Sequence, residues 1–296
     1  MFNPAIWYVS TYWGQTDSIY ALFLVASVVG LSRGAVLPAW GAYALALGTK
    51  AQSLSVAPLL FVATLRRYGW RAVARGLAVA VLAGLLLALP WLITGHFGEL
   101  ARAAIRLPHQ TPRAYVSGYN LWYLLLAGRA GDLAASQPLP GLPLTYQQVA
   151  LGLCGAFGLL VVALVWRQGA RSLPLPAAVL SMGLFLLLTD VRERYMFPAL
   201  AFVLLGASGH RAAPHGDAQG QPAGDRRLWW IYSILTATFL FNLVTIASFN
   251  PAWWTNLVAA PADTPLVVVL KGLSLVAALI NTLVLAWLVL EMALDK

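Results

Sequence analysis

"LAVAVLAGLLLALPWLIT" fills residues 77–94 and decides the fold. It is uninterrupted by charge and approaches the ~20 residues that carry a helix across a bilayer. Similar runs lie at 149–165, 228–247 and 272–290. None alternates with the period of two expected of a membrane β-barrel. The whole chain agrees: 296 residues, 60% hydrophobic and 10% charged. Soluble domains average about 45–50% apolar and about 25% charged. So large an excess does not fit inside one core of this size. The reading is an all-α, polytopic transmembrane helical bundle with lipid as its main solvent.

Nine candidate crossings follow at about 18–32, 35–48, 53–65, 77–95, 147–166, 175–189, 195–209, 227–248 and 268–291, several of them short. If the segment before 18 lies outside, the alternation places Arg33, Arg66, Arg67, Arg71, Arg75, Arg167, Arg171, Arg211, Arg226, Arg227 and Lys296 inside. Basic residues then mark every internal turn, as the positive-inside rule expects. Re-entrant loops at 35–48 or 53–65 would break that order at Arg66, which favours two short spans. The net charge of +9 therefore sets topology. No basic stretch is interleaved with aromatics for base stacking, so nucleic acid is not an expected partner.

Residues 1–209 read as a membrane domain bearing an outer-face site, 210–227 as a flexible cytoplasmic linker, and 228–296 as a C-terminal pair of transmembrane helices. The linker "HRAAPHGDAQGQPAGDRR" is too poor in apolar residues to form a core. In "HFGELARAAIRLPHQ" (96–110), Leu100, Ala103, Ala104 and Leu107 share one helical face, and Arg102 and Arg106 share another. That pattern suggests a helix lying in the interface, or else a solvated loop helix. "NLWYLLLAG" (120–128) is too short to span. The single cysteine, Cys154, excludes an internal disulfide and reads as a small hydrophobe. No metal-ligand spacing is evident, and metal dependence stays open.

Ionisable groups at the edges of apolar runs are the candidates for function. Four places stand out on the proposed outer side. In "YWGQTDS" (12–18), Gln15 and Asp17 offer hydrogen bonds and a carboxylate, or Thr16 or Asp17 caps the following helix. In "GTKAQS" (48–53), Lys50 pairs with a phosphate or extends to the headgroups. In "TDVRERYMFP" (189–198), Asp190, Arg192, Glu193 and Arg194 form an ion network, an anion site or a solvated turn. In "SGYNLWYL" (117–124), Asn120 and Trp122 contact a sugar or belong to an aromatic belt, as "NPAWWTN" (250–256) does. Asn281 and Glu291 in the last run have no evident partner.

These motifs, in this order, resemble the GT-C class of integral membrane glycosyltransferases. The likeness is to bacterial mannosyltransferase-like proteins related to the transferase of the second mannose of GPI anchors. It rests on "NPAIWYVSTYWGQTDSIYALF" (3–23), "ALGTKAQSLSVAPLL" (46–60), "SGYNLWYLL" (117–125) and "DVRERYMFPAL" (190–200). The resemblance implies transfer of a hexose, mannose among the candidates, from a polyprenyl-phosphate donor on the outer face of a bacterial inner membrane. It implies no cofactor beyond that lipid-linked donor. By similarity, Lys50 and Arg194 hold the lipid phosphate, and Glu193 orients Arg194. Gln15, Asn120, Trp122 and Arg192 line the site, and Asp17 is the candidate catalytic carboxylate. Family members carry the base on a first outer loop after their first span, and nothing before residue 17 could be that loop. The expectation is therefore a form without its first spans, completed by those spans or by a partner subunit. A transporter or flippase of lipid-linked or anionic substrates, or a non-catalytic membrane subunit, is the alternative.

Overall fold

The computed structural model describes residues 3–106, 113–114, 117–127, 133–170, 172–208, 225–246 and 264–294. The linker residues 210–224, the aromatic stretch 250–256, and Leu107, Arg171, Arg211 and Lys296 lie outside the described residues. Among those described there is no β-strand, only two isolated bridges, so the all-α class holds.

The chain opens with α1 (Pro4–Trp7), which runs into a π-helical turn, Tyr8–Tyr12. Asn3 caps it, its Oδ1 accepting from the amides of Ala5 and Ile6. Next come α2 (Asp17–Ser32) and α3 (Val36–Thr49), which pack closely. A Cβ at Gly30 would sit 3.4 Å from the Cβ of Ala39, so the glycine sets how near the two helices lie. A 3-10 helix, Ala51–Val56, leads directly into α4 (Ala57–Tyr68), with Pro58 in its first turn. Gly69 (φ +78°) ends α4 and turns the chain into α5 (Trp70–Ile93). Two short helices follow, α6 (Phe97–Arg106) and α7 (Leu121–Leu125). Then α8 (Tyr146–Arg167) starts on a capping box in which Thr145 and Gln148 satisfy each other's backbone amides. α9 (Pro174–Leu187), a 3-10 helix (Glu193–Met196), α10 (Phe197–Ala207), α11 (Arg226–Ile246) and α12 (Pro265–Leu294) complete the bundle.

Each of the nine apolar runs is a helix, but only four helices, α5, α8, α11 and α12, are long and apolar enough to cross a membrane. The other five have 11 to 16 residues. Nine full crossings therefore reduce to four that length and composition carry. The 3-10 start lengthens one short element: Ala51–Val56 and α4 together rise about 30 Å. α6 exists as a helix, and α7 is a single short turn, as its length required.

α5 buries only Val73 and Gly76, while Leu82, Leu85, Leu86 and Ile93 stand exposed. A face this apolar is unfavourable in water and natural against acyl chains. The main core joins α2, α9 and α10 to the tail helices, including Tyr20, Leu24, Phe185, Phe202, Phe239 and Leu288. α11 and α12 thus share one core with the helices before the linker.

Contacts at the helix ends sort the turns. Tyr68 donates to the carbonyl of Leu31 (3.1 Å), Arg66 lies over Trp166, and Gln168 donates to the carbonyl of Met292. Arg227 pairs with Glu291 at 3.2 Å, giving that glutamate the partner its sequence did not reveal. The basic turns around 33, 66, 167 and 227 accordingly gather at one end of the bundle. Asp17, Lys50 and Arg194 meet at the other.

Candidate functional site

Asp17 begins α2 and is 1% exposed in its side chain. It is not the helix cap, nor does Thr16 provide a side-chain cap. Instead its Oδ2 accepts from Lys50 Nζ at 2.7 Å. Lys50 sits in extended backbone between α3 and the 3-10 helix, which aims its side chain at α2. It folds inward rather than extending outward, and its Nζ lies 5.5 Å from the centre of the Tyr20 ring. Arg194 enters from the 3-10 helix after α9, with its Nε 4.0 Å from the same Asp17 oxygen. Its guanidinium stands 5.2 Å from the Trp13 ring centre. Three charges far apart in sequence, two positive and one negative, thus meet in one place with two aromatic rings beside them.

Local structure explains the meeting. The π-turn closes with Trp13 N donating to Tyr8 O, and Gln15 N then reaches back to Val9 O at 3.0 Å. Gly14, at φ +66°, supplies the left-handed step between them. Trp13 is thereby held beside the start of α2, with Gln15 half-buried next to it. Asp190 takes φ +59°, a conformation Asp tolerates, and turns the chain from α9 into the 3-10 helix that carries Arg194.

Burial pushes the Lys50 ammonium below the usual lysine range, opposed by the adjacent Asp17 carboxylate and reinforced by Arg194. Several polar atoms here are buried and without a hydrogen bond: Asp17 Oδ1, Tyr20 OH, Ser53 Oγ and Arg194 Nε. Buried polar groups are normally satisfied. Of these, Tyr20 OH, Ser53 Oγ and Arg194 Nε are donors, the groups that an oxygen-bearing anion would satisfy, whereas Asp17 Oδ1 is an acceptor.

The other expected site residues have different partners. Glu193 is buried, but it accepts from Ser117 Oγ and forms no ion pair with Arg194. Glu193 anchors the 117–118 loop, whose amides also bond Val191 O. Asn120 caps α7 and donates to Leu188 O at 3.2 Å. Trp122 donates to Leu187 O at 2.8 Å. A helix end leaves orphan carbonyls, and these two side chains satisfy those at the end of α9. Their polar atoms are spent on the fold rather than offered to a sugar. Arg192, half-buried, precedes the 3-10 helix, and its carbonyl accepts from Tyr195 N.

Three members were not foreseen. Tyr20 lies three residues after Asp17, on the same face of α2, and Ser53 donates its backbone amide to Lys50 O at 3.1 Å. Gln52 hydrogen-bonds Tyr195, which lies next to Arg194 in the chain. Among the described residues, no three of His, Cys, Asp and Glu gather as a metal-binding group.

The fold and the site define an all-helical membrane protein with a buried cluster of two cations and one carboxylate at one end of its bundle. No protein-family model and no curated protein matches the sequence.

Proposed function

We propose that the chain forms the donor site of a GT-C-type glycosyltransferase that uses a polyprenyl-phosphate sugar. One observation carries this reading: Lys50 and Arg194 converge on Asp17 beside unsatisfied buried polar atoms, at the edge of a lipid-facing bundle. The donor's phosphate fits there. As the acceptor oxygen bonds to the anomeric carbon, the bond from that carbon to the phosphate oxygen breaks. The leaving lipid phosphate gains charge, and Lys50 and Arg194 stabilise it. Asp17 holds both cations through Oδ2, and its buried, unbonded Oδ1 takes the acceptor's proton once bound substrate opens a way to it. Four helices long and apolar enough to cross a membrane, with shorter apolar helices packed among them, support a membrane setting for this reading, which we take to be the bacterial inner membrane.

The test uses the native full-length protein with a panel of polyprenyl-phosphate hexoses, scored by formation of a glycosidic bond. Arg194→Ala is expected to raise KM for the lipid-linked donor at least tenfold. An unchanged KM removes Arg194 from the site. Counterflow of labelled lipid-linked sugar in proteoliposomes, without a new glycosidic bond, would instead assign a transporter.

A further inference from the structure

A second feature, independent of the ion cluster, lies on the flank of the bundle. Between α4 and α8 runs an open groove of about 500 Å³, lined by Ala57, Phe61, Leu65, Val162 and Trp166 among others, with almost no polar surface. Ala57, Phe61 and Leu65 are spaced i, i+4, i+8, so the groove follows the axis of α4 for about 12 Å. An open, apolar groove that follows a helix axis suits a hydrocarbon chain better than a compact polar ligand.

Its lower end is basic. Arg66 lies 5.5 Å over the Trp166 ring and donates Nε to the Trp166 carbonyl at 3.4 Å, which fixes it at the mouth of the groove. Arg167 follows Trp166 directly, and Arg71 and Arg75 lie in the first turns of α5. All four are exposed. Among the described residues, none of them pairs with a carboxylate. Arg67, by contrast, is turned inward and donates to Ala170 O.

An apolar trough ending in uncompensated guanidinium groups is complementary to an anionic amphiphile. We propose that this groove binds one acyl chain of an anionic phospholipid, with the headgroup phosphate held by Arg66 and Arg167. Guanidinium can grip phosphate oxygens with two parallel hydrogen bonds. Basic pockets between membrane helices recognise anionic headgroups by this chemistry. The polarity of the groove argues against the tail of the sugar donor as occupant. A chain attached at Lys50 would enter at Ala57 and make no use of the arginines.

The experiment is native mass spectrometry of the full chain, released from nanodiscs of phosphatidylglycerol and phosphatidylcholine with identical acyl chains. The wild type is expected to retain phosphatidylglycerol at least tenfold over phosphatidylcholine. Joint Arg66→Ala and Arg167→Ala substitution, with helicity checked against the wild type, should erase that preference. Val162→Phe, which fills the trough, should reduce retention of both lipids. Equal retention by the wild type, or retention indifferent to Val162→Phe in a protein of unchanged helicity, overturns the proposal. So does displacement of phosphatidylglycerol by polyprenyl phosphate that Arg194→Ala abolishes, for the groove would then hold the donor's tail.

Discussion

Asp17 shares one carboxylate oxygen between two cations, and this arrangement governs what substitution does. Removing one partner of a buried pair strands the other charge, which is costlier than removing both. Lys50→Met is therefore expected to destabilise by about 3 kcal/mol, the low end for a broken buried pair, because Arg194 still faces Asp17. The double variant with Asp17→Asn should recover most of that loss. Reversible unfolding in mixed micelles measures the cycle, and strictly additive losses would show that the pair contributes nothing. The pH dependence has a definite sign. Lys50 loses its proton below the usual lysine range because it is buried. Binding of inorganic phosphate or lipid phosphate should weaken as pH rises, beginning before a free lysine would titrate. A titration followed by calorimetry, compared with Lys50→Arg, reads this directly. The arginine variant should hold its affinity through the same range.

Helices meet closely where glycine permits it. A Cβ on Gly183 of α9 would overlap the Phe157 ring on α8, and one on Gly76 of α5 would overlap the Trp40 indole on α3. Trp40 also donates to Thr64 Oγ1 at 3.2 Å, so its ring cannot simply swing away. Gly76→Ala and Gly183→Ala are each expected to cost about 1–3 kcal/mol through overpacking. Thermal unfolding in detergent should register the loss, whereas Gly84→Ala, where a Cβ meets open space, should be neutral. The helices themselves were legible because lipid demands long apolar runs. Their starts were less so. The run at 53–65 opens as a 3-10 helix at Ala51, and no apolar pattern distinguishes the two helix types there. Likewise Asp17, Lys50 and Arg194 stood out as charges at the edges of apolar runs. Asn120 and Trp122 stood out instead as an amide and an indole suited to a sugar, yet they donate to main-chain carbonyls, to which a sequence pattern is blind.

Across the whole molecule, polar side chains tie the tail helices to the loop beside the site. Asn242 of α11 donates to Ser117 O at 2.8 Å and accepts from Tyr119 N at 2.9 Å. Asn281 of α12 donates to Tyr119 O at 3.3 Å and accepts from Thr238 at 2.8 Å, which supplies the partner its sequence concealed. Tyr123 meets Ser274 at 2.5 Å. Asn242→Leu strands the Ser117 carbonyl and the Tyr119 amide, each at about 1–3 kcal/mol. Hydrogen exchange at the Tyr119 amide is expected to rise at least tenfold, and an unchanged rate would mean that the loop holds without α11. None of this was foreseen from hydropathy, which registers the tail only as apolar runs, because pairing between distant asparagines leaves no local periodicity.

Tyr119 is claimed at its amide by Asn242, at its carbonyl by Asn281, and at its hydroxyl by Thr245 at 2.6 Å. A residue moored at three points by two helices cannot drift alone. In related chains, changes at 242, 245 and 281 should arrive together, so that the tail carries an inherited signature of the loop it secures.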